Sequence, residues 1–137
     1  MLKNKSGFTL IEVLISVLII GIAITGVYIG MIYAESSARI AYHNRSATLQ
    51  ASGWLDRIVY ESNYLTLMQL QAKYGLYTED IKLSEDVTGR ISFDMRIIND
   101  MSTGFAIDVL VVKVNVLWEE DANDNKRMRI TLMEKIL

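Results

Sequence analysis

The chain has 137 residues, no cysteine, no proline and a formal net charge of −2. Its length suits one domain at about 100–200 residues per domain. Without cysteine, an oxidising compartment would supply no disulfide stabilisation. The slightly acidic balance argues against a domain held on nucleic acid chiefly by charge.

The charges are unevenly placed. From Phe8 to Ala34 there are 27 residues and one charge, Glu12, and Val13 to Ala34 carries none. About 20 apolar residues cross the hydrocarbon core of a bilayer, so this stretch can span it. Lys3, Lys5 and the amino terminus precede it and favour a cytoplasmic N-terminus. Residues 35–137 then lie outside the cytoplasm, with 12 basic and 15 acidic side chains. A cleavable secretory signal would place small residues after its apolar run. Here Ser6 and Gly7 lie before it, and an ordinary signal anchor also fits these features.

Apolarity ends near Ala34, but no proline follows, and the first glycine after Gly30 is Gly53. Ala38, Ala41, Tyr42, Leu49, Trp54, Leu55, Ile58 and Val59 recur among charges, several at three- and four-residue steps. The pattern predicts one helix over residues 8–60, roughly 80 Å long at 1.5 Å per residue. A second, shorter helix is expected over 63–74, ended by Gly75. The period then changes to two. Ile91, Phe93, Met95 and Ile97 share a face, as do Val112, Val114, Val116 and Trp118, and Met128, Ile130 and Leu132. Three such strands imply an antiparallel sheet that needs a cover, and the second half of the long helix supplies one. The stretch "EEDANDNK" reads as a hairpin loop between the last two strands.

The stretch "KSGFTLIEV", residues 5–13, resembles the processing site of type IV pilin-like proteins, which carry a class III-type N-terminal methylation motif. The likeness rests on a short basic leader, Gly7, Phe8, the threonine-leucine-isoleucine run, Glu12 as fifth mature residue, and the following span. It covers residues 1 to about 30 by sequence, and the helix-then-sheet pattern agrees with it beyond. The resemblance implies an α+β pilin-like fold with residues 1–7 as a cleaved leader. Residues 8–34 would be the transmembrane and filament-core helix, and 35–137 an extracytoplasmic globular domain.

The resemblance further implies that a prepilin peptidase cuts between Gly7 and Phe8 and methylates the new Phe8 amine. The chain is then a substrate of that enzyme, not an enzyme, and no cofactor is implied. Glu12 would pair with the Phe8 amine of a neighbouring subunit during assembly. In lipid, an unpaired carboxylate and an unpaired amine each cost more than the pair. Implied partners are other pilins or pseudopilins, the inner-membrane assembly platform and membrane lipid.

Major pilins commonly carry proline at the twenty-second mature position, here Ile29, and many close a C-terminal loop with two cysteines. This chain has neither. It looks more like the minor pilins of the PilV type, which act in priming and at the tip of a type IV pilus. It also resembles the I-type minor pseudopilin of type II secretion. A reading of another class is a single-pass anchored protein whose exported domain binds a ligand alone.

Other signals have plainer readings. Gly26 and Gly30 form a G-x-x-x-G, a helix-packing motif that small residues also produce by chance. Asp121, Asn123 and Asn125 occupy the first ligand positions of a calcium loop, but Lys126 and Leu132 break the pattern. His43 is the only histidine and reads as a solvated helix residue. Trp54 and Trp118 are expected to pack helix to sheet. Lys126, Arg127 and Arg129 read as a solvated strand edge rather than a DNA contact. "NRS" at 44–46 matches a glycosylation sequon but falls within the helix.

Overall fold

The computed structural model describes residues 9–101, 106–120 and 127–137. Helix α1 runs from Leu10 to Ser62 and α2 from Leu67 to Tyr74. Strands β1 (Thr78–Lys82), β2 (Thr88–Asp100), β3 (Ile107–Glu119) and β4 (Arg127–Ile136) follow. They form one antiparallel sheet in the order β1-β2-β3-β4. The fold is α+β with a pilin-like layout. Met1–Arg39 and Ile40–Leu137 form two compact units.

The sequence contains no proline to interrupt α1, and the helix continues to Ser62. The break before α2 has a local cause. Thr66 caps α2, accepting a hydrogen bond from the Gln69 N–H, while the Gln69 side chain accepts one from the Thr66 N–H. This reciprocal capping box fixes the start of α2 at Leu67, four residues later than its apolar spacing suggested. Gly75 closes α2 as expected, its N–H donating to Gln71 O at 2.8 Å.

Within Ile40–Leu137, the core lies between the second half of α1, α2 and one sheet face. Ile91, Phe93 and Met95 of β2 and Val112, Val114, Val116 and Trp118 of β3 are buried there. These are the residues whose alternation marked the strands, because burying one face forces a period of two. Across from them, α1 buries Ala47, Ala51, Leu55 and Ile58. The expected stripe was only partly right. Leu55 and Ile58 hold their places, but Leu49 and Tyr42 are exposed. Ala47 and Ala51 are fully buried instead, as enclosed as Ile58, so small side chains share the most enclosed positions of this helix. Trp54 packs between helix and sheet, with ring centroids 5.4 Å from Phe93, and Tyr74 and Tyr77 complete the cluster.

β1 is a fourth strand that period-two reading missed. Only Ile81 of its five residues is buried, and Glu79, Asp80 and Lys82 conceal the apolar signal. The turn to β2 is held by Val87 O, which accepts from the N–H groups of Leu83 and Ser84.

His43 corrects the solvated reading. It is 3% exposed and lies on the buried face four residues before Ala47. Its Nδ1 is 2.7 Å from Glu120 Oε1, and Glu120 Oε2 accepts from Trp118 Nε1 at 2.9 Å. The carboxylate at the end of β3 therefore satisfies two buried ring nitrogens and ties the sheet to α1. Removing His43 leaves part of a buried carboxylate without its donor, a change that commonly costs about 3 kcal/mol. His43→Ala is expected to lower unfolding stability by about that amount, measured by denaturant titration of residues 35–137. The "DANDN" stretch, residues 121–125, lies outside the described residues, as does Lys126.

A second polar hub joins the end of α1 to α2. Glu61 accepts from Lys73 Nζ at 2.7 Å, Tyr74 Oη at 2.8 Å and Arg57 Nε at 3.4 Å. The Lys73 hydrogen bond, above all, holds the Glu61 carboxyl below its ordinary value, against an opposing effect of burial. Glu61 in turn raises the Lys73 ammonium. A depressed carboxylate adds stability above its unfolded value of about 4.3 and loses it as pH falls through the folded value. The raised ammonium adds stability that is full below about pH 10.4 and fades as pH rises past it toward its folded value. Glu61→Gln is expected to cost about 1 kcal/mol at neutral pH, the modest figure reflecting partial exposure. Its acid unfolding curve should lie closer to the wild type below pH 4 than at pH 7.

Candidate functional site

The site predicted from sequence lies at the start of α1. Lys3, Lys5, Gly7 and Phe8 fall outside the described residues, so the expected cleavage position is not among them. What is described begins at Thr9. Its hydroxyl accepts from the Glu12 N–H at 3.4 Å and its carbonyl accepts from the same group at 3.1 Å. "TLIE" thus has the Thr-x-x-Glu spacing of a helix start. The residues Thr9 to Glu12 carry that signal in the sequence itself.

Glu12 lies in the first turn of α1, where the helix dipole favours a negative charge. Its side chain is exposed and has no hydrogen-bond or ion-pair partner among the described residues. It stands beside wholly apolar surface. Leu14, Leu18, Ile22 and Ile29 are each more than half exposed, and an 18-residue window of α1 has mean hydropathy 2.6 with none of it buried. Such a surface requires lipid or a partner. The hydroxyls within it are satisfied along the helix itself, Ser16 Oγ donating to Glu12 O at 2.7 Å and Thr25 Oγ1 to Gly21 O at 2.9 Å. In lipid no water would take their place.

At 3.6 residues per turn, Gly30 stands about five turns from Glu12 and on the same side of the helix, with Gly26 about 40° away. A Cβ added at Gly21, Gly26 or Gly30 would meet nothing within 4 Å. The chain's own packing therefore does not require these glycines, each of which weakens the helix by about 1 kcal/mol relative to alanine.

Residues 2–28 match the family model described as the prokaryotic N-terminal methylation motif. This match supports a type IV pilin-like family. The match covers the leader, the position of Glu12 and most of the apolar run, and it carries N-terminal methylation and a leader peptide with it. No curated protein and no solved structure gives a match. Prepilin peptidase and other pilins are the chain's general class of partner, and its apolar helix suits a membrane-anchored, pilus-associated protein.

Among the described residues no group of three or more histidine, cysteine, aspartate or glutamate side chains could hold a metal. Arg127 pairs with Glu119 at 3.2 Å, both largely exposed, and Arg129 is exposed beside it.

Proposed function

We propose that this chain is a minor pilin that helps prime a type IV pilus and is incorporated at or near its tip. Prepilin peptidase cuts between Gly7 and Phe8 and methylates the Phe8 amine. The anchored precursor is single-pass in the inner membrane with its N-terminus cytoplasmic. Glu12 then pairs with the Phe8 amine of a neighbouring subunit, while Gly26 and Gly30 allow close helix packing.

The observation that supports this most is the methylation motif overlapping an apolar, unburied stretch of α1 whose single carboxylate, Glu12, has no side-chain partner among the described residues. The carboxylate is disfavoured in lipid alone and useful when a neighbour supplies an amine. The absence of proline at Ile29 and of cysteine favours a minor subunit over the main fibre, and it suits a minor pseudopilin of type II secretion as well.

Gly7→Val is expected to leave the chain at precursor mass in the membrane and absent from sheared filaments. Normal incorporation of that variant would contradict the assignment of the cleavage position. Deleting the gene and scoring both piliation and secretion separates the two assemblies: loss of pili with intact secretion supports the pilus reading.

A further inference from the structure

β4 pairs with β3 along its whole length, from Leu110↔Ile136 to Glu119↔Arg127, in a register without a bulge. It is an edge of the sheet, and among the described residues nothing pairs with its other side. Exposed edges are usually blunted by short length, proline, bulges or charge, because their free N–H and C=O groups accept another strand. The opposite edge follows that rule: β1 has five residues, three of them charged. β4 has ten residues and no proline, and Ile130 to Met133 at its centre carries no charge.

The two faces of β4 differ. Met128, Ile130 and Leu132 pack against the core yet remain only partly buried, at the open rim of the α1-facing side. Arg127, Arg129, Thr131, Met133 and Lys135 are exposed on the other face, where Lys113 is the β3 neighbour of Met133. Arg127 pairs with Glu119, and Lys135 with Asp100 at 3.6 Å. Arg129 has no ion-pair partner among the described residues, whereas Lys113 stands opposite Asp94 of β2.

This charge pattern discriminates between occupants. Two β4 strands joined antiparallel about a two-fold axis keep like faces on one side. The two registers with greatest overlap then set Arg127 or Arg129 opposite Lys135 of the other copy, and like charges opposed across strands are destabilising. A strand with apolar residues inward and acidic residues outward completes the core rim and meets a cationic β4 face on which Arg129 has no ion-pair partner among the described residues.

We propose that the β4 edge accepts an extended strand of a different subunit, apolar toward α1 and acidic on its outer face, so that the sheet continues across a subunit boundary. The partner's being a subunit rests on the filament reading above; the edge and its charge preference do not.

The test uses the full chain, isotopically labelled in detergent micelles, with ten-residue peptides alternating valine with glutamate or valine with lysine. Amide hydrogen exchange is followed across the sheet. The acidic peptide should slow exchange at alternate β4 amides, and the basic peptide should not. Arg129→Glu should weaken acidic-peptide binding about tenfold, with β2 and β3 protection unchanged to show an intact fold. Unaltered β4 exchange, equal effects of both peptides, or protection at β1 instead would overturn the proposal. So would β4 protection that rises with protein concentration alone, which would mean self-pairing. None of these results bears on cleavage at Gly7 or on Glu12, so failure here is distinguishable from failure of the pilin reading.

Discussion

A chain that begins at residue 61 is expected to show no cooperative unfolding transition, whereas residues 35–137 should unfold in one. The reason is the composition of the core. Without the second half of α1, the face carrying Ile91, Phe93, Met95, Val112, Val114 and Val116 loses the helix that covers it. Leu55 and Ile58 alone contribute about 3–6 kcal/mol at about 1.5–3 kcal/mol per buried side chain. Ala47, Ala51, Trp54 and the His43–Glu120 contact add to that. A domain of this size has only about 5–15 kcal/mol in total. The truncation also orphans the Glu120 carboxylate from His43 and Lys82 O from the Gln50 side chain. Loss of near-ultraviolet circular dichroism together with a broad, featureless urea curve is the expected result. A sharp transition at residue 61 would mean that α2 and the sheet hold a core by themselves.

The second large effect is at Glu12. Glu12→Gln should leave cleavage and membrane insertion intact and lower the amount of protein in sheared filaments about tenfold or more. An acidic side chain at the centre of a spanning helix costs about 2.5–3.5 kcal/mol, less toward its ends, and pairing with an amine recovers part of that. Each 1.4 kcal/mol is about tenfold in an equilibrium. Glutamine keeps the size and the helix start but cannot form the ion pair, so the membrane pool should rise as the filament pool falls. Quantitative immunoblotting of the two fractions measures the ratio. An unchanged ratio would show that the Glu12 carboxylate serves only the first turn of α1, through the helix dipole.

Much of this architecture was legible because burial imposes a period. β2, β3 and β4 could be read from alternation since each presents one face to the core. β1 could not, since an edge strand with a single buried residue has no alternation to read. In α1, leucine and tyrosine carry the stronger apolar signal, yet Ala47 and Ala51 are enclosed while Leu49 and Tyr42 are exposed. Hydrophobicity alone does not reveal where a helix needs small side chains. His43 escaped because its partner Glu120 is 77 residues away, and a buried polar contact leaves no local pattern. The candidate site was legible for a different reason. Gly7, Phe8 and Glu12 stand at fixed spacing within the stretch that matches the methylation motif, so the linear sequence carries the candidate signal, whereas the outer edge of β4 became visible only once the strand order was known.

The claim on which the rest depends is that this chain is processed and then packed. The most direct measurement is the intact mass of the protein purified from its own membranes. A chain beginning with N-methylated Phe8, lacking residues 1–7, is the predicted result. A chain that retains Met1 and carries no methyl group would contradict it.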